Sequence, residues 1–401
     1  MPRREKDRVM AISAKVRECM EESSWIRRMF EEGCALKEQC GAENVFDFTL
    51  GNPCLEPPAR FQQVLEEVVR ERIPGKHAYM PNAGLMEARG AVAQHLSQEH
   101  GIALGPEHIL MTCGAGGALN IILKALLEPG DEVVILSPFF PEYRFYADNH
   151  GGTAIPVKTK GDFSLDLSAL EERIGKRTKA LILNSPNNPT GKVYDATSLS
   201  ALGDLLRGKE RLLSRQIYLI SDEPYAKLVY DGIRVPSVFA IHPHSVLVTS
   251  HSKDLSPPGE RIGYLAINPA APHALELASA MTFAQRVLGF VNAPALMQRV
   301  VAHLQGVTID VGWYRQKRDR LCQALSEMGY SLVRPDGAFY LFPQSPTNDL
   351  EFVKELQQYN ILTVPGRGFG AAGHFRIAFC VDDCIIEGAL PGFAQAIQKY
   401  S

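Results

Sequence analysis

Five short apolar runs, each breaking off into a polar or glycine- and proline-rich segment, constrain this chain most. They are Ile109–Thr112, Glu132–Leu136, Lys179–Leu183, Ile217–Ser221 and Val246–Ser250. Each is too short for a stable helix and carries Val, Ile or Leu without polar alternation, the pattern of a strand buried on both faces. Helical stretches separate them, among them Leu119–Leu127 and residues 195–212, the latter with Asp195 as N-cap. Strand, helix, strand in this order predicts an α/β fold, with a mostly parallel sheet flanked by helices. Ligands of such sheets lie beyond the carboxyl ends of the strands, and the unusual polar residues of this chain fall there.

At 401 residues the chain exceeds the ~250–300 at which one core stops growing, so two packed domains are expected. The expected division is a large domain over 51–300 and a smaller α+β domain over 301–401, joined by an N-terminal helical segment, 1–50. The last part reads as helix 313–328, a hairpin over Leu332–Phe342 turning at Asp336-Gly337, helix 348–359, strand 374–380 and a final helix. Residues 5–37 read as helix from Val9, Ile12, Val16 and Met20, a spacing resumed at Ile26, Met29 and Phe30. A net charge of −3 gives no general attraction to nucleic acid or to an anionic membrane. No apolar run approaches the ~18 residues of a membrane span, and no apolar signal core follows Arg3-Arg4; a cytoplasmic location is expected. The eight cysteines include no C-x-x-C pair, so reduced thiols are expected. Cys380 and Cys384 have no histidine close by, and His242-Pro243-His244 reads as a loop, so no metal is expected.

The segments at the strand ends carry the chemistry. Cys113-Gly114-Ala115-Gly116-Gly117 lies between a strand and a helix, where free amides make an anion site; it matches neither G-x-G-x-x-G nor a P-loop. Phe139 and Phe140, between prolines, either stack on a flat ligand or fill the core. Prolines at both ends of Ser185-Pro186-Asn187-Asn188-Pro189 hold the Asn188 amide in one orientation. Asp222 and Tyr225 follow the fourth run. After the fifth comes Ser250-His251-Ser252-Lys253, with Arg261 eight positions on, behind Pro257-Pro258-Gly259. The two cations either face solvent or fix an amine and a phosphate in one pocket. Gly51 ends a short strand, 46–50, where a ligand can approach the backbone, and Tyr79 stands in a loop over residues 75–85.

Together, Asn188-Pro189-Thr190-Gly191, Asp222-x-x-Tyr225 and Ser250-x-Ser252-Lys253-x7-Arg261-x-Gly263 resemble the pyridoxal-phosphate-dependent aminotransferase class I/II family, of the aspartate aminotransferase superfamily (fold type I). The resemblance extends over nearly all of the chain from about residue 45. It implies that Lys253 bonds covalently to pyridoxal 5'-phosphate and, once released, moves the substrate's Cα proton. It implies that Asp222 pairs with the pyridine nitrogen, that Tyr225 and Asn188 donate to the ring hydroxyl oxygen, and that Phe140 stacks on the ring. Arg261, Ser250, Ser252 and the backbone of Gly114, Ala115 and Gly116 would hold the phosphate. Arg376, Gly51 and Asn188 would bind the substrate, Arg376 gripping the α-carboxylate through two bonds. Tyr79 would reach the cofactor phosphate of a second subunit, making the active site a property of a homodimer. The chain departs from the family at Gly116, where a polar side chain is common, and at Arg367, where small residues are common.

The implied activity is exchange of an amino group between an L-amino acid and a 2-oxo acid. The alternative is another Cα-carbanion reaction on the same fold: carbon–sulfur lyase, decarboxylase or aminocyclopropane-carboxylate synthase-like. Lys192-Val193-Tyr194 after the Asn-Pro-Thr-Gly block leans toward transfer. A DNA-binding regulator needs a winged helix ahead of residue 46, where only about 45 residues stand. Neither nucleic acid nor membrane is an expected partner.

Overall fold

The computed structural model describes residues 12–22, 29, 32–33 and 36–400 of the chain. Twelve strands are described. β1 is Phe46–Asp47, β2 Ile109–Thr112, β3 Glu132–Ser137, β4 Thr153–Lys158, β5 Thr178–Asn184 and β6 Tyr218–Asp222. β7 is Ser245–Ser250, β8 Gly263–Ile267, β9 Tyr340–Leu341, β10 Ile361–Leu362, β11 Val364–Pro365 and β12 Phe375–Ala378.

Seven of them form the central sheet in the order β2-β8-β7-β6-β5-β3-β4. β4, β3, β5, β6 and β7 run parallel, and β8 returns antiparallel between β7 and β2. The five apolar runs are all strands of this sheet. Their lack of alternation follows from cover on both faces: Val134, Leu181, Leu219 and Leu247 face one core, and Val133, Ile182, Ile220 and Val248 face another. The expected α/β architecture is therefore present.

A third core gathers Phe48, Tyr314, Phe339, Phe352, Phe375 and Phe393 around two small sheets. β11, β12 and β9 form one, antiparallel; β1 and β10 form the other, parallel, with Phe46 opposite Ile361. The chain just before Gly51 is thus sewn to its C-terminal part.

Three expectations change. The helix after β2 begins at Gly114, not Leu119, so the glycine segment is its first turn; Gly114 holds φ +72°, which glycine adopts without strain. The stretch expected to be a hairpin does not fold back on itself: Tyr340–Leu341 pairs with β12, and Gly337 makes an isolated antiparallel bridge to Val229. Asp336 and Gly337 instead donate their amides to Gly191 O at 3.0 and 2.9 Å, and Asp336 Oδ2 accepts from the Val193 amide at 3.1 Å. A Cβ on Gly337 would lie 2.6 Å from Leu228 O, so glycine serves close packing there, not a turn. Of the helix expected over 5–37, Ala14–Glu22 is helical, and parts of it, Val9, Ile26 and Phe30 among them, lie outside the described residues.

Candidate active site

Beyond the carboxyl ends of β5, β6 and β7 lies a cavity of about 350 Å³. Among the residues named from the sequence, Gly51, Ala115, Gly116, Phe140, Asn188, Asp222, Tyr225, Ser250, Ser252, Lys253, Arg261 and Arg376 line it. Gly114 and Tyr79 do not: Gly114 is buried behind Ala115, close to Arg261, and Tyr79 is 92% exposed on its loop, the most exposed large apolar side chain described. A larger cavity of about 650 Å³ meets Glu223, Lys227 and Asp254, but contains none of those residues.

Asp222 ends β6. Its Oδ2 accepts a hydrogen bond from Tyr143 Oη at 2.5 Å, while Oδ1 is buried with no partner. Burial pushes this carboxyl up to about 6, against the lowering effect of Tyr143. Lys253 sits in the short helix His251–Asp254 directly after β7 and donates from Nζ to Gly51 O at 2.7 Å. Its amine is drawn down to about 8, mainly by burial, with Arg261 and Arg376 adding to the effect and Cys380 opposing it. A free lysine stays charged to about 10.4, so this amine is far easier to deprotonate near neutral pH.

Asn184, at the end of β5, joins the neighbouring loops. Its Nδ2 donates to Asp222 O at 2.8 Å and its Oδ1 accepts from the Asn188 amide at 2.7 Å. Asn188 Oδ1 in turn accepts from Arg376 Nη1 at 3.1 Å, and Arg376 Nη2 donates to Thr49 O at 2.5 Å. Tyr340 and Phe369 flank the guanidinium, their ring centroids 4.8 and 4.7 Å away, and Arg376 Nε is buried without a partner. Arg376 is thus held as a fork at the cavity, not on an exposed strand edge. Tyr225 Oη meets Tyr340 Oη at 2.8 Å, and burial, with Tyr340 next, raises its pKa well above the usual value, keeping the hydroxyl protonated.

At the other end of the cavity the helix Gly114–Leu126 points its N-terminus inward. A Cβ on Gly114 would come within 2.9 Å of Arg261 Nη2, and one on Gly116 within 3.0 Å of Tyr146 Oη. Free first-turn amides, an adjacent guanidinium and the Ser250 and Ser252 hydroxyls make a donor-rich cradle for an anion. Arg261 itself is exposed in the single chain and donates to Pro258 O at 2.9 Å.

The sequence reading missed Glu142, Tyr143, Tyr146, Asn184 and Tyr340, all of which line the cavity. Tyr143 and Glu142 lie just past Phe140 on the helix Glu142–Asn149, and Tyr340 lay inside the stretch misread as a hairpin. Arg367 does not line the cavity. Its Nη2 donates to Asp349 Oδ1 at 2.7 Å and its amide to Asp349 Oδ2 at 2.9 Å, which ties it to the start of the helix Asp349–Gln357. His242 and His244 come together with Glu210, with potential ligand atoms within 4.8 Å. The facing nitrogens are already engaged, His242 Nε2 with Ile217 O at 2.9 Å and His244 Nδ1 with Glu210 at 2.7 Å.

The chain is similar along most of its length to proteins of known kind. The family described as aminotransferase class I and II matches residues 43–390. A probable aspartate/prephenate aminotransferase of Thermus aquaticus is 34% identical over 87% of this chain and 91% of its own length. An aspartate aminotransferase of Bacillus subtilis is 29% identical over 90% of this chain and 94% of its own. Among solved structures, an amino transferase from Eubacterium rectale superposes with a TM-score of 0.94 at 36% identity, covering 98% of this chain and 100% of that one. The Thermus thermophilus aspartate aminotransferase with maleate gives 0.83 at 29% identity, covering 93% and 96%. With this sheet, this cavity and a family match over most of its length, the chain belongs to the class I and II aminotransferases and is itself an aminotransferase.

Proposed function

We propose that the cavity binds pyridoxal 5'-phosphate and transfers the amino group of an L-amino acid to a 2-oxo acid. The observation that carries this reading is the orphaned Asp222 Oδ1 in the same cavity as the buried Lys253 amine. A buried carboxylate oxygen without a donor is costly, and a protonated ring nitrogen supplies the missing donor. The residues fit the group at its other end too: the first-turn amides of Gly114, Ala115 and Gly116, with Arg261, Ser250 and Ser252, suit a phosphate, and the glycines leave room where a Cβ would not fit.

When bound, the cofactor serves as an electron sink for the substrate Cα. The chain's residues do the rest. Asp222 holds the ring nitrogen protonated, and Tyr143 holds Asp222. Tyr225 and Asn188 donate to the ring hydroxyl oxygen, and Phe140 covers the ring. Arg376 grips the α-carboxylate, with Gly51 and Asn188 beside it, and so fixes which Cα bond stands in line for cleavage. Lys253 Nζ, drawn down to about 8, takes the Cα proton and returns it as a general acid.

The reading extends to the assembly. A 92% exposed tyrosine on a glycine- and proline-rich loop is well suited to reach a neighbouring subunit, so we assign Tyr79 to the phosphate end of a partner's site in a homodimer. We assign 51–300 to a large cofactor-binding domain and 1–50 with 301–401 to a smaller one; the pairing of β1 with β10 and the core around Phe339 and Phe375 support the grouping. We assign the chain to the cytoplasm; its eight cysteines include no C-x-x-C pair, and a chain of this length builds its core without disulfides.

The test is a half-reaction. Cofactor-loaded protein is mixed with one amino acid and no acceptor. Release of one equivalent of 2-oxo acid per site, followed by arrest until an oxo acid is added, supports the reading. Continued release of ammonia, carbon dioxide or thiol without arrest rejects transfer.

A further inference from the structure

Lys253 is carried on a single helical turn, His251–Asp254. One turn does not hold itself, because its first hydrogen bond fixes more backbone than it repays, so its neighbours must set its place. The bond that closes it, from the Leu255 amide to His251 O, is 3.4 Å long. Lys253 faces the cofactor cavity, whereas Asp254 faces the larger cavity of about 650 Å³; Pro224 borders both. His251 and Asp254 fall in unspecified positions of the sequence motif.

Asp254 ties the turn on three sides. Its Oδ2 meets His251 Nδ1 at 3.1 Å, bracing the turn from end to end, and Lys227 Nζ at 3.4 Å, on the segment that carries Asp222 and Tyr225. Its main-chain oxygen accepts from the Ile309 amide at 2.8 Å and from Thr308 Oγ1 at 3.2 Å, just ahead of the helix Val311–Glu327. Burial alone would raise the pKa of this carboxyl, yet His251 and then Lys227 hold it below the ordinary value. An ionised carboxylate only accepts, so His251 Nδ1 donates to it. The other oxygen, Oδ1, is buried with no partner. A buried ion pair of this kind is a weak source of stability; what it supplies is a fixed geometry.

We propose that Asp254 is a positioning residue for the Lys253 amine: through His251, Lys227 and the Thr308–Ile309 segment it holds the turn so that Nζ stays buried, 2.7 Å from Gly51 O. Asp254 does not line the cofactor cavity and acts only through the turn it shares with Lys253. The inference rests on the reading of Lys253 as the residue that bonds to the cofactor.

The experiment compares wild type, Asp254→Asn and Lys227→Gln. In cofactor-free protein, graded acylation with peptide mapping reads the midpoint at which Lys253 Nζ loses its proton. In loaded protein, half-reactions give kcat and KM, and borohydride fixation gives the site of the bond. The two substitutions remove charges of opposite sign. Acting directly through space, loss of the anion would lower the Lys253 midpoint and loss of the cation would raise it. Acting through position, both let the amine reach water. Both should then raise the midpoint from about 8, by roughly one unit, toward the ~10.4 of a free lysine. In Asp254→Asn kcat should fall about 10- to 100-fold, as for an amine misplaced by about 1 Å, while KM stays within about threefold because Arg376 is untouched. Lys227→Gln, which leaves Asp254 tied to His251, should show a smaller fall. An unmoved midpoint and kcat in that variant overturn the inference even where Asp254→Asn does not fold. Midpoints that move in opposite directions, or that stay near 8 while only thermal stability drops, also overturn it and leave Lys253 in its role. Cofactor fixed by borohydride at another lysine overturns both.

Discussion

Tyr143 donates its hydroxyl hydrogen to Asp222 Oδ2 at 2.5 Å and leaves Oδ1 of the same carboxylate buried and unbonded. One oxygen is therefore fixed by the protein and the other is free for a ligand. The arrangement costs stability in the cofactor-free protein and orients the carboxylate for its partner.

Replacing Asp222 with Asn should separate these two effects. The folded-state pKa is raised, to about 6 from 3.8, so the unfolded chain loses this proton first and stability falls as pH climbs between those values. Such a shift is worth at most ~3 kcal/mol. Cofactor-free Asp222→Asn should be more stable than wild type at pH 8 by up to that amount, and no more stable below pH 4, in urea titrations. Its turnover should fall by about 10² or more. Near-normal turnover would remove Asp222 from the ring nitrogen.

Tyr143→Phe should act through Asp222. The lost bond lowers the Asp222 pKa, so its removal moves that pKa further up. The acid limb of the kcat/KM profile should shift to higher pH, with a loss of about 10- to 100-fold for one hydrogen bond to a charged group. A profile that keeps its limb while activity drops would reduce Tyr143 to packing.

The sheet was legible because its strands are buried on both faces, which leaves runs such as Val133–Leu136 and Leu181–Leu183 with no polar alternation to misread. The residues after those strands were legible for the same reason, since each strand end is a fixed address. Tyr143, Glu142 and Tyr340 were not. Tyr143 meets Asp222 across 79 positions, and Tyr340 meets Tyr225 across 115, so only the folded sheet gives them meaning. Asp336-Gly337 misled because a turn dipeptide can equally clamp another loop. Here it holds Gly191 and Val193, and no local pattern distinguishes the two uses.

Lys253 should be reactive in the cofactor-free protein at unusually low pH. A base whose folded pKa is lowered loses its proton early, so acylation of Nζ should rise with a midpoint near pH 8, not near the 10.4 of a free lysine. Peptide mapping after graded labelling reads this directly. Lys253→Ala should keep the fold and bind cofactor without a bond that borohydride can fix. A bond fixed at another lysine would move the covalent site.

Arg376→Lys tests the carboxylate clamp. The guanidinium is held by Asn188 Oδ1 at 3.1 Å and Thr49 O at 2.5 Å, between Tyr340 and Phe369, so its plane and direction are set before substrate arrives. Lysine keeps the charge but offers a point donor on a flexible stem, and it cannot make two parallel bonds to a carboxylate. The loss in kcat/KM should be about 10²-fold or more and fall largely on KM. It should also be nearly the same for every amino acid tested, because the α-carboxylate is common to all of them. That uniformity separates a clamp on the α-carboxylate from a contact to the side chain, whose loss would change the ranking of amino acids. A loss confined to one class of side chain would place Arg376 at the distal end of the substrate.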